Sequence, residues 1–298
     1  SSRAAAEAAM QAARRGLGGQ AAAARRDTLR RQLAELERAL EEQGPEGPEE
    51  AEAAAGARVS GPVDRTSVRF PDSRGEVLVV VGTSRHAEVP GLVARISSVV
   101  EAAYSSAGKH KRVDEYDALR RLQMGDAGPG ANRVLHLAFR GEELVGCASS
   151  TFSPGWTPEG CGHWGLLAVD PAHQGQGVAT ALVLAAERRL AGASEMVQIE
   201  YSYSSGDEHS ERLLEWYEGK LGFNGGPRPR PGCSTFRRAF KQIPEAEQRR
   251  GQRRRLEEIR GWLRERLAEA EAEAEAEAGG ALETVAGGGG NALAAAAS

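Results

Sequence analysis

The chain has 298 residues, a net charge of −4 at pH 7 and only 5% aromatic residues. The negative net charge excludes a general nucleic-acid footprint, so we expect no nucleic-acid partner. No apolar run reaches the roughly 18 residues that a membrane-spanning helix needs, so we expect no membrane association. The three cysteines of the chain form no metal or disulfide pattern, which is typical of a reducing compartment. This pattern favours an intracellular, cytoplasmic location. The alanine- and arginine-rich start up to Arg31 leaves organelle import open, although biased composition explains it as well.

Residues 1–75 are predicted to form a low-complexity N-terminal extension. Between residues 27 and 43, leucines alternate spacings of four and three, which is typical of a short heptad helix. These leucines are Leu29, Leu33, Leu36 and Leu40. Residues 44–61 are rich in Pro, Gly, Ala and Glu and are interpreted as a linker. The heptad helix is a candidate for helix-mediated self-association or for binding a protein partner.

Patterns of strand and helix fill residues 76–243, which we interpret as one domain. Period-2 and β-branched runs predict strands at about 77–83, 134–139, 144–152, 161–169, 197–203 and 235–243. Helical spacing predicts helices at about 89–103, 114–124, 178–190 and 210–222. The order of elements is therefore β-α-α-β-β-β-α-β-α-β, an α/β arrangement.

Beyond Pro244 the chain is predicted to form a charged helix with an apolar stripe. The stripe residues are Leu256, Ile259, Leu263 and Leu267. Alternating Ala and Glu then continue the helix, since both are strong helix formers. The glycine pairs and runs at 279–280 and 287–290 are expected to end it in a disordered Gly/Ala tail that reaches residue 298. The Arg249 to Arg255 cluster is either a nucleic-acid patch or, as we favour, a solvated helix face.

The stretch from Leu166 to Leu184 reads as a strand, a glycine turn and a helix. Gly175 and Gly177 allow backbone N–H groups to approach a ligand, because glycine has no Cβ. The helix start adds free N–H donors and the positive end of the helix dipole. Together these features predict an anion site suited to a pyrophosphate. The turn lacks the Gly-Lys-Ser/Thr ending of a Walker loop, and Thr180 stands where the dinucleotide fingerprint needs Gly or Ala.

Gln174, Gly177 and Ala179 instead fill the pattern Gln/Arg-x-x-Gly-x-Gly/Ala. With the preceding Leu-Ala-Val-Asp-Pro run, this loop resembles the coenzyme A loop of the GNAT superfamily, the acyl-CoA N-acyltransferases. A second segment resembles the late helix of that family, which ends in Tyr-x-x-Leu-Gly-Phe. Here Tyr217 stands one residue further from Gly222 than in the commonest spacing. The resemblance covers about residues 76–243 and neither tail.

The resemblance implies a mixed, mostly antiparallel twisted sheet flanked by helices. It also implies an N-acetyltransferase that transfers an acetyl group from acetyl-CoA to an amine acceptor by direct attack. Tyr217 would protonate the departing thiolate as the general acid. The residues implied to bind the cofactor are Leu167, Ala168 and Val169 for the pantetheine arm and Gln174, Gly175, Gln176, Gly177, Val178, Ala179 and Thr180 for the pyrophosphate.

The general base and the acceptor are left open by the sequence. An amine attacks only when neutral, and a lysine amine is mostly protonated at pH 7, so the site must remove a proton. Glu200 on the fifth predicted strand and His163 on the fourth are the candidates. The acceptor is a small molecule or a protein or peptide amine. The stretch from Arg228 to Pro231 either attracts an acidic acceptor or forms an exposed, proline-stiffened loop.

A different class of function also fits the sequence. A non-catalytic GNAT-like module would bind coenzyme A, or a protein partner through its terminal helices, without transferring an acetyl group. The shifted spacing of Tyr217 and the lack of an obvious base are compatible with this alternative. No clustering of His, Cys and Asp suggests a metal site, and the implied chemistry needs none.

Overall fold

The structure is a computed structural model that describes residues 2–42, 65–69, 75–109 and 111–287, with side chains described for 22–42, 75–109 and 111–276. The chain divides into two compact units. One unit holds the N-terminal helix α1 (Ser2–Glu42) and the residues from Arg260 onward. The other unit holds the described residues from Arg65 to Ile259.

The second unit is built on one seven-stranded sheet, in which the strands follow one another in chain order. Its strands are β1 (Arg65–Arg69), β2 (Glu76–Val81), β3 (Arg133–Arg140), β4 (Glu143–Thr151), β5 (Cys161–Val169), β6 (Met196–Ser204) and β7 (Ser234–Gln242). Neighbouring strands are antiparallel except β5 and β6, which are parallel. The predicted mixed, mostly antiparallel sheet with flanking helices is confirmed.

Strand β1 is an addition to the predicted elements. It pairs with β2 along its whole length, from Arg65 opposite Val80 to Arg69 opposite Glu76. Its sequence, Arg-Thr-Ser-Val-Arg, contains a single apolar residue, so no alternation of apolar and polar residues predicts a strand there. An edge strand of this kind forms through backbone pairing with an apolar neighbour, and the sequence analysis therefore placed it in the extension.

Helices cover both faces of the sheet. The helices of this unit are α2 (Ser84–Ala87), α3 (Leu92–Ser106), α4 (Glu115–Met124), α5 (Val178–Leu190), α6 (Glu208–Leu214) and the first part of α7 (Glu245–Gly287). A π-helical turn, Glu215–Lys220, continues α6. Helices α3 and α4 pack on the front face, where Ile96 and Leu122 lie fully buried against Leu135 of β3. On the back face, Leu190 of α5 and Tyr217 pack against residues of β6.

The first unit is an antiparallel pair of helices, α1 and the part of α7 from Arg260 onward. Arg30 Nη2 lies 2.6 Å from Glu271 Oε1, and Arg264 Nη2 lies 2.5 Å from Glu37 Oε1. Because the partner number falls as the α1 number rises, the helices run in opposite directions. The heptad segment is thus part of a helix that begins at Ser2.

The glycine runs at 279–280 and 287–290 were expected to end the C-terminal helix, and α7 runs through Gly279 and Gly280 to Gly287. Each helical glycine costs only about 1 kcal/mol relative to alanine, and the Ala/Glu run around the pair offsets that cost. The predicted linker at 44–61 and the tail from 288 lie outside the described residues. Among the described residues, no helix has the length and apolar character needed to cross a membrane.

Candidate active site

The turn between β5 and α5 has the conformation that its glycines predict. Gly175 and Gly177 have φ angles of 72° and 86°, in the left-handed region that is strained for residues with a Cβ. Gly177 is the N-cap of α5, so the first N–H groups of that helix have no partner within it. The helix dipole adds positive potential at the same place. The turn is therefore a backbone-built anion site.

Three side chains form hydrogen bonds to backbone carbonyl groups in and next to this turn. The Gln174 amide donates from Nε2 to the carbonyl oxygen of Val169 at 3.3 Å, and Gln176 Nε2 donates to the carbonyl of Ala172 at 2.9 Å. Arg140 Nη2 donates to the Gln176 carbonyl at 2.9 Å. The Gln174 side chain thus connects the turn to the end of β5.

Asp170 anchors the start of the turn to helix α3. Its Oδ1 accepts from the backbone N–H of Ala172 at 2.9 Å, and its Oδ2 accepts from Arg95 Nη2 at 2.7 Å. The Ala172 N–H and the Arg95 guanidinium lower the pKa of this carboxyl, although partial burial opposes them. Asp170 therefore stays ionised at neutral pH and fixes the turn to the front face of the sheet.

Strands β5 and β6 separate along the part of β5 that precedes this turn. The two strands pair over only three residues, from Cys161 opposite Met196 to His163 opposite Gln198. Beyond that point β5 continues beside β4 and β6 continues beside β7. Among the described residues, the β6-facing edge of β5 from residue 164 to 169 has no strand partner. Backbone groups require partners, so this edge can accept an extended ligand as an added strand. Leu167, Ala168 and Val169 lie on it.

A β-bulge at Leu166 accompanies the opening. Leu166 has φ = 50°, the one positive φ among described non-glycine residues. Across β4, Gly165 lies opposite Ser149 but Ala168 lies opposite Cys147, so β5 contains one extra residue there. Bulges bend a strand and are frequent beside active sites, and such a backbone conformation costs about 1–3 kcal/mol. Nothing in the residue pattern predicts this bulge.

The extra residue between Tyr217 and Gly222 is absorbed by the π-helical turn. Leu221 donates its N–H to the carbonyl of Trp216 at 2.9 Å, which is the i to i+5 bond of a π-helix. Gly222 then adopts φ = 77° and ends the helix as a left-handed cap. The shifted spacing is therefore a local bulge in the helix, a feature that is frequent at functional sites.

Tyr217 lies where β5 and β6 separate. Its ring centroid is 5.9 Å from that of Trp164 on β5 and 4.8 Å from that of Tyr201 on β6. Burial raises the pKa of Tyr217, and the nearby Tyr104 raises it further. Among the described residues, no group forms a hydrogen bond with its hydroxyl. The phenol is thus protonated at neutral pH and able to donate a proton at the opening.

The other two predicted catalytic residues lie together on the front face. His163 Nδ1 is 2.9 Å from the backbone carbonyl of Gln198. Because a carbonyl only accepts, Nδ1 carries the hydrogen and Nε2 keeps a free lone pair. Burial lowers the pKa of His163, although the Gln198 carbonyl and the Glu200 charge oppose it. His163 is therefore neutral at pH 7 and able to accept a proton at Nε2.

Glu200 is engaged in hydrogen bonds. Its Oε1 accepts from Arg238 Nε at 2.8 Å and from Gln198 Nε2 at 3.1 Å. Both donors bind the same carboxylate oxygen of Glu200, whereas Nε2 of His163 forms no hydrogen bond among the described residues. Of the two candidate bases, the geometry favours His163.

Three cations on the front face were not singled out by the sequence analysis, and the charges of two of them act on His163. Arg133 begins β3, Arg121 lies near the end of α4, and Lys111 lies in the loop before α4. The charges of Arg133 and Lys111 contribute to lowering the pKa of His163. They come from three separate elements, so no spacing in the chain reveals that they converge.

Residues 96–223 match the family described as Acetyltransferase (GNAT) family. Residues 96–223 therefore match a GNAT acetyltransferase domain, and the resemblance seen in the sequence is confirmed for that part of the chain.

Solved structures similar to this chain include the GNAT domain of S. lividans PAT, with 17% identity, a TM-score of 0.42 and coverage of 60% of this chain and 97% of that one. The PaiA N-acetyltransferase from Thermoplasma acidophilum, in complex with coenzyme A, has 12% identity and a TM-score of 0.42, with coverage of 56% and 99%. An aminoglycoside 6′-N-acetyltransferase complexed with coenzyme A has 16% identity and a TM-score of 0.36, with coverage of 52% and 93%. A search of curated proteins finds no match. In the part of the chain that the structure describes, no group of three or more His, Cys, Asp or Glu is placed to hold a metal ion.

Proposed function

We propose that the protein is an acetyl-CoA-dependent N-acetyltransferase that transfers the acetyl group directly to an amine. The observation that carries this proposal is the position of Tyr217 at the opening between β5 and β6, above the glycine turn. A ligand with a pyrophosphate on the turn and an extended arm along β5 would bring its far end toward this phenol. That is the shape and chemistry of acetyl-CoA.

Backbone groups would hold the cofactor. The N–H groups from Gly175 to Thr180 would donate to the pyrophosphate, whereas that of Gln174 already donates to the carbonyl of Pro171. The free edge at Leu167, Ala168 and Val169 would pair with the amides of the pantetheine arm. When bound, acetyl-CoA supplies an activated thioester carbonyl. Binding along β5 would also place that carbonyl in line with the acceptor amine, which accounts for much of the rate enhancement.

His163 and Tyr217 would move the two protons of the reaction. His163 Nε2 would take the proton that the amine loses, directly or through a water molecule. As the nitrogen–carbon bond forms, the carbon–sulfur bond breaks, and the Tyr217 hydroxyl would give its proton to the departing thiolate. The protonated imidazole and the phenolate would then return to their starting states by exchange with solvent, so the protons balance over one turnover.

The test separates chemistry from binding. Acetyl-CoA affinity is measured by calorimetric titration, and turnover on a panel of amines by release of the free thiol. Tyr217→Phe should lower kcat by about 100-fold, within the usual range for a general acid, while acetyl-CoA affinity changes less than threefold. Trp216→Phe is the matched control, because Trp216 packs against Tyr217 at 5.1 Å between ring centroids without contributing a hydroxyl. Unchanged turnover in Tyr217→Phe would leave this tyrosine as a core residue.

The alternative, a non-catalytic coenzyme A-binding or protein-interaction module, makes a different prediction in the same assay. Such a module would bind acetyl-CoA and release no thiol with any amine. The buried, protonated phenol and the free imidazole nitrogen favour the enzyme.

A further inference from the structure

Three cationic side chains on the front face have no acidic partner. Among the described residues, Lys111, Arg121 and Arg133 form no salt bridge. Other arginines of the same unit do, since Arg95 pairs with Asp170 and Arg237 pairs with the partly buried Glu218. Arg133 Nε does donate a hydrogen bond, but its acceptor is the neutral hydroxyl of a threonine at 2.9 Å. The positive charge of this group is thus uncompensated.

These cations lie close enough together to repel one another. Partial desolvation and the charge of Arg121 lower the pKa of Lys111 and that of Arg133. The Nε atom of Arg121 is buried and has no hydrogen-bond partner. Like charges held together, with a buried donor left unsatisfied, cost folding free energy. An anionic ligand bound among them would remove both costs.

One member of the cluster, Arg133, lies beside the imidazole that we assign as the base. Arg133 lies over the ring of Trp156, with its Cζ 5.5 Å from the centroid, and that ring is 5.8 Å from the imidazole of His163. Lys111 Nζ lies 5.3 Å from the ring centroid of Tyr104. Aromatic rings thus lie beside two of the cations. The Trp156 ring connects Arg133 to the imidazole that would take the proton of the acceptor amine.

The phosphates of coenzyme A are not the anions for this cluster. His163 and Val169 are separated by six residues of β5, which at about 3.3 Å per residue places them roughly 20 Å apart. The glycine turn follows Val169, so the cations lie at the opposite end of the strand from the pyrophosphate site. A ligand at this end approaches from the acceptor side.

We propose that the acceptor is a small amine that also carries a carboxylate, as an amino acid does. Lys111, Arg121 and Arg133 would bind the carboxylate while the amine approaches His163 Nε2. Guanidinium groups suit this task because they form paired hydrogen bonds with a carboxylate. Polyamines and amino sugars, which are cationic, are repelled by the same charges. This inference rests on the proposed function and adds its substrate class.

The other basic stretch considered in the sequence does not serve this purpose. Arg228 is exposed and forms an ion pair with Glu211, which raises the pKa of Arg228. Its charge is therefore compensated within the protein, unlike that of Arg121.

The experiment compares ligands that differ only in charge, with the full-length protein. Calorimetry measures binding of N-acetyl-L-glutamate and of the neutral N-acetyl-L-glutamine amide, as product-like probes, and kcat/KM is measured for free amino acids against their amides. We expect the charged probe to bind at least tenfold more tightly and the free acids to be favoured at least tenfold in kcat/KM. Arg121→Gln should abolish both preferences while acetyl-CoA affinity stays within threefold.

Arg120→Gln is the matched control, because Arg120 is the adjacent residue of α4, is exposed, and lies over the Tyr116 ring at 5.9 Å. It loses the same charge outside the cluster and should keep both preferences. If acetyl-CoA binds and thiol is released, two results would overturn this inference but not the proposed function. The first is equal affinity for the charged and the neutral probe, and the second is an equal loss of both preferences in Arg121→Gln and Arg120→Gln. Failure of the wild-type protein to bind acetyl-CoA would overturn the proposed function and the inference together.

Discussion

The two ends of β5 present ligand groups of different kinds. After Val169 the donors are backbone N–H groups, and the nearby side chains of Gln174, Gln176 and Arg140 brace the loop. At His163 the functional groups are side chains that come from several elements. A site built from backbone N–H groups requires the ligand to approach the main chain closely, so it tolerates little added bulk or negative charge. A side-chain-built site can change its ligand by one substitution without refolding.

The largest effect is expected from breaking the backbone-built end. Gly177→Glu places a negative charge and a side chain where the pyrophosphate would bind, at a position with φ = 86°. We expect acetyl-CoA affinity to fall at least 100-fold by calorimetry while the far-UV spectrum stays unchanged. Gly177→Ala is the control, since it introduces the same backbone strain without charge. Normal affinity in Gly177→Glu would remove the loop from the cofactor site.

The second effect is expected from breaking the ion pair between Glu218 and Arg237. Glu218, next to Tyr217, accepts from Arg237 Nε at 2.5 Å and Nη2 at 2.8 Å, and from the Tyr201 hydroxyl at 2.7 Å. The Arg237 side chain is only 6% exposed. Glu218→Ala would leave this guanidinium buried and unpaired, so we expect a loss of about 3 kcal/mol in the free energy of unfolding, measured in urea.

The pH dependence of this loss has a defined sign. Burial raises the pKa of Glu218, but hydrogen bonding from Arg237 and Tyr201 outweighs burial and lowers it. The stabilisation is therefore complete above the unfolded-state value of about 4.3 and is lost as pH falls through the lower folded-state value. The difference between wild type and Glu218→Ala should narrow below pH 4.3. Glu208→Ala, which breaks an exposed pair with Arg212, should cost less than about 0.5 kcal/mol.

The third prediction breaks the side-chain-built end. His163→Gln should lower kcat by about 100-fold with acetyl-CoA affinity unchanged, because glutamine cannot accept the amine proton. The wild-type rate should rise with pH through a value below 6.5, since burial lowers the pKa of His163, and should be flat above it. The variant should lack this acid limb. A limb that persists in His163→Gln would assign the titration to another group, and Glu200→Gln would then test the second candidate.

How much of this could be predicted from the sequence follows the same division. The glycine turn was predicted because glycines at positions 175 and 177 indicate, in the local sequence, a backbone conformation that other residues rarely adopt. Tyr217 was predicted from the resemblance of its segment to Tyr-x-x-Leu-Gly-Phe, but the π-helical turn that accommodates the extra residue before Gly222 comes from packing. The cluster around Arg121 leaves no local pattern, because its members meet only after α4 and β3 pack together.

The bulge and the edge strand were missed for a related reason. Leu166 is an ordinary apolar residue of a strand pattern, and only the divergence of β5 from β6 shows why its backbone is bent. Strand β1 has too few apolar residues to alternate, and its place is set by β2. In both cases the neighbouring strand, rather than the segment's own sequence, determines the structure.

The smallest effect is expected from Gly175→Ala, which separates strain from charge at the backbone-built end. Gly175 has φ = 72°, and a Cβ built there meets no atom within 4 Å. The cost is therefore the left-handed conformation alone, about 1–2 kcal/mol, and it acts on folding more than on binding. We expect a melting temperature lower by a few degrees and an acetyl-CoA dissociation constant raised less than tenfold. A loss as large as that in Gly177→Glu would mean that loop conformation, rather than charge, controls cofactor binding, and that the difference between the two ends of β5 is one of rigidity.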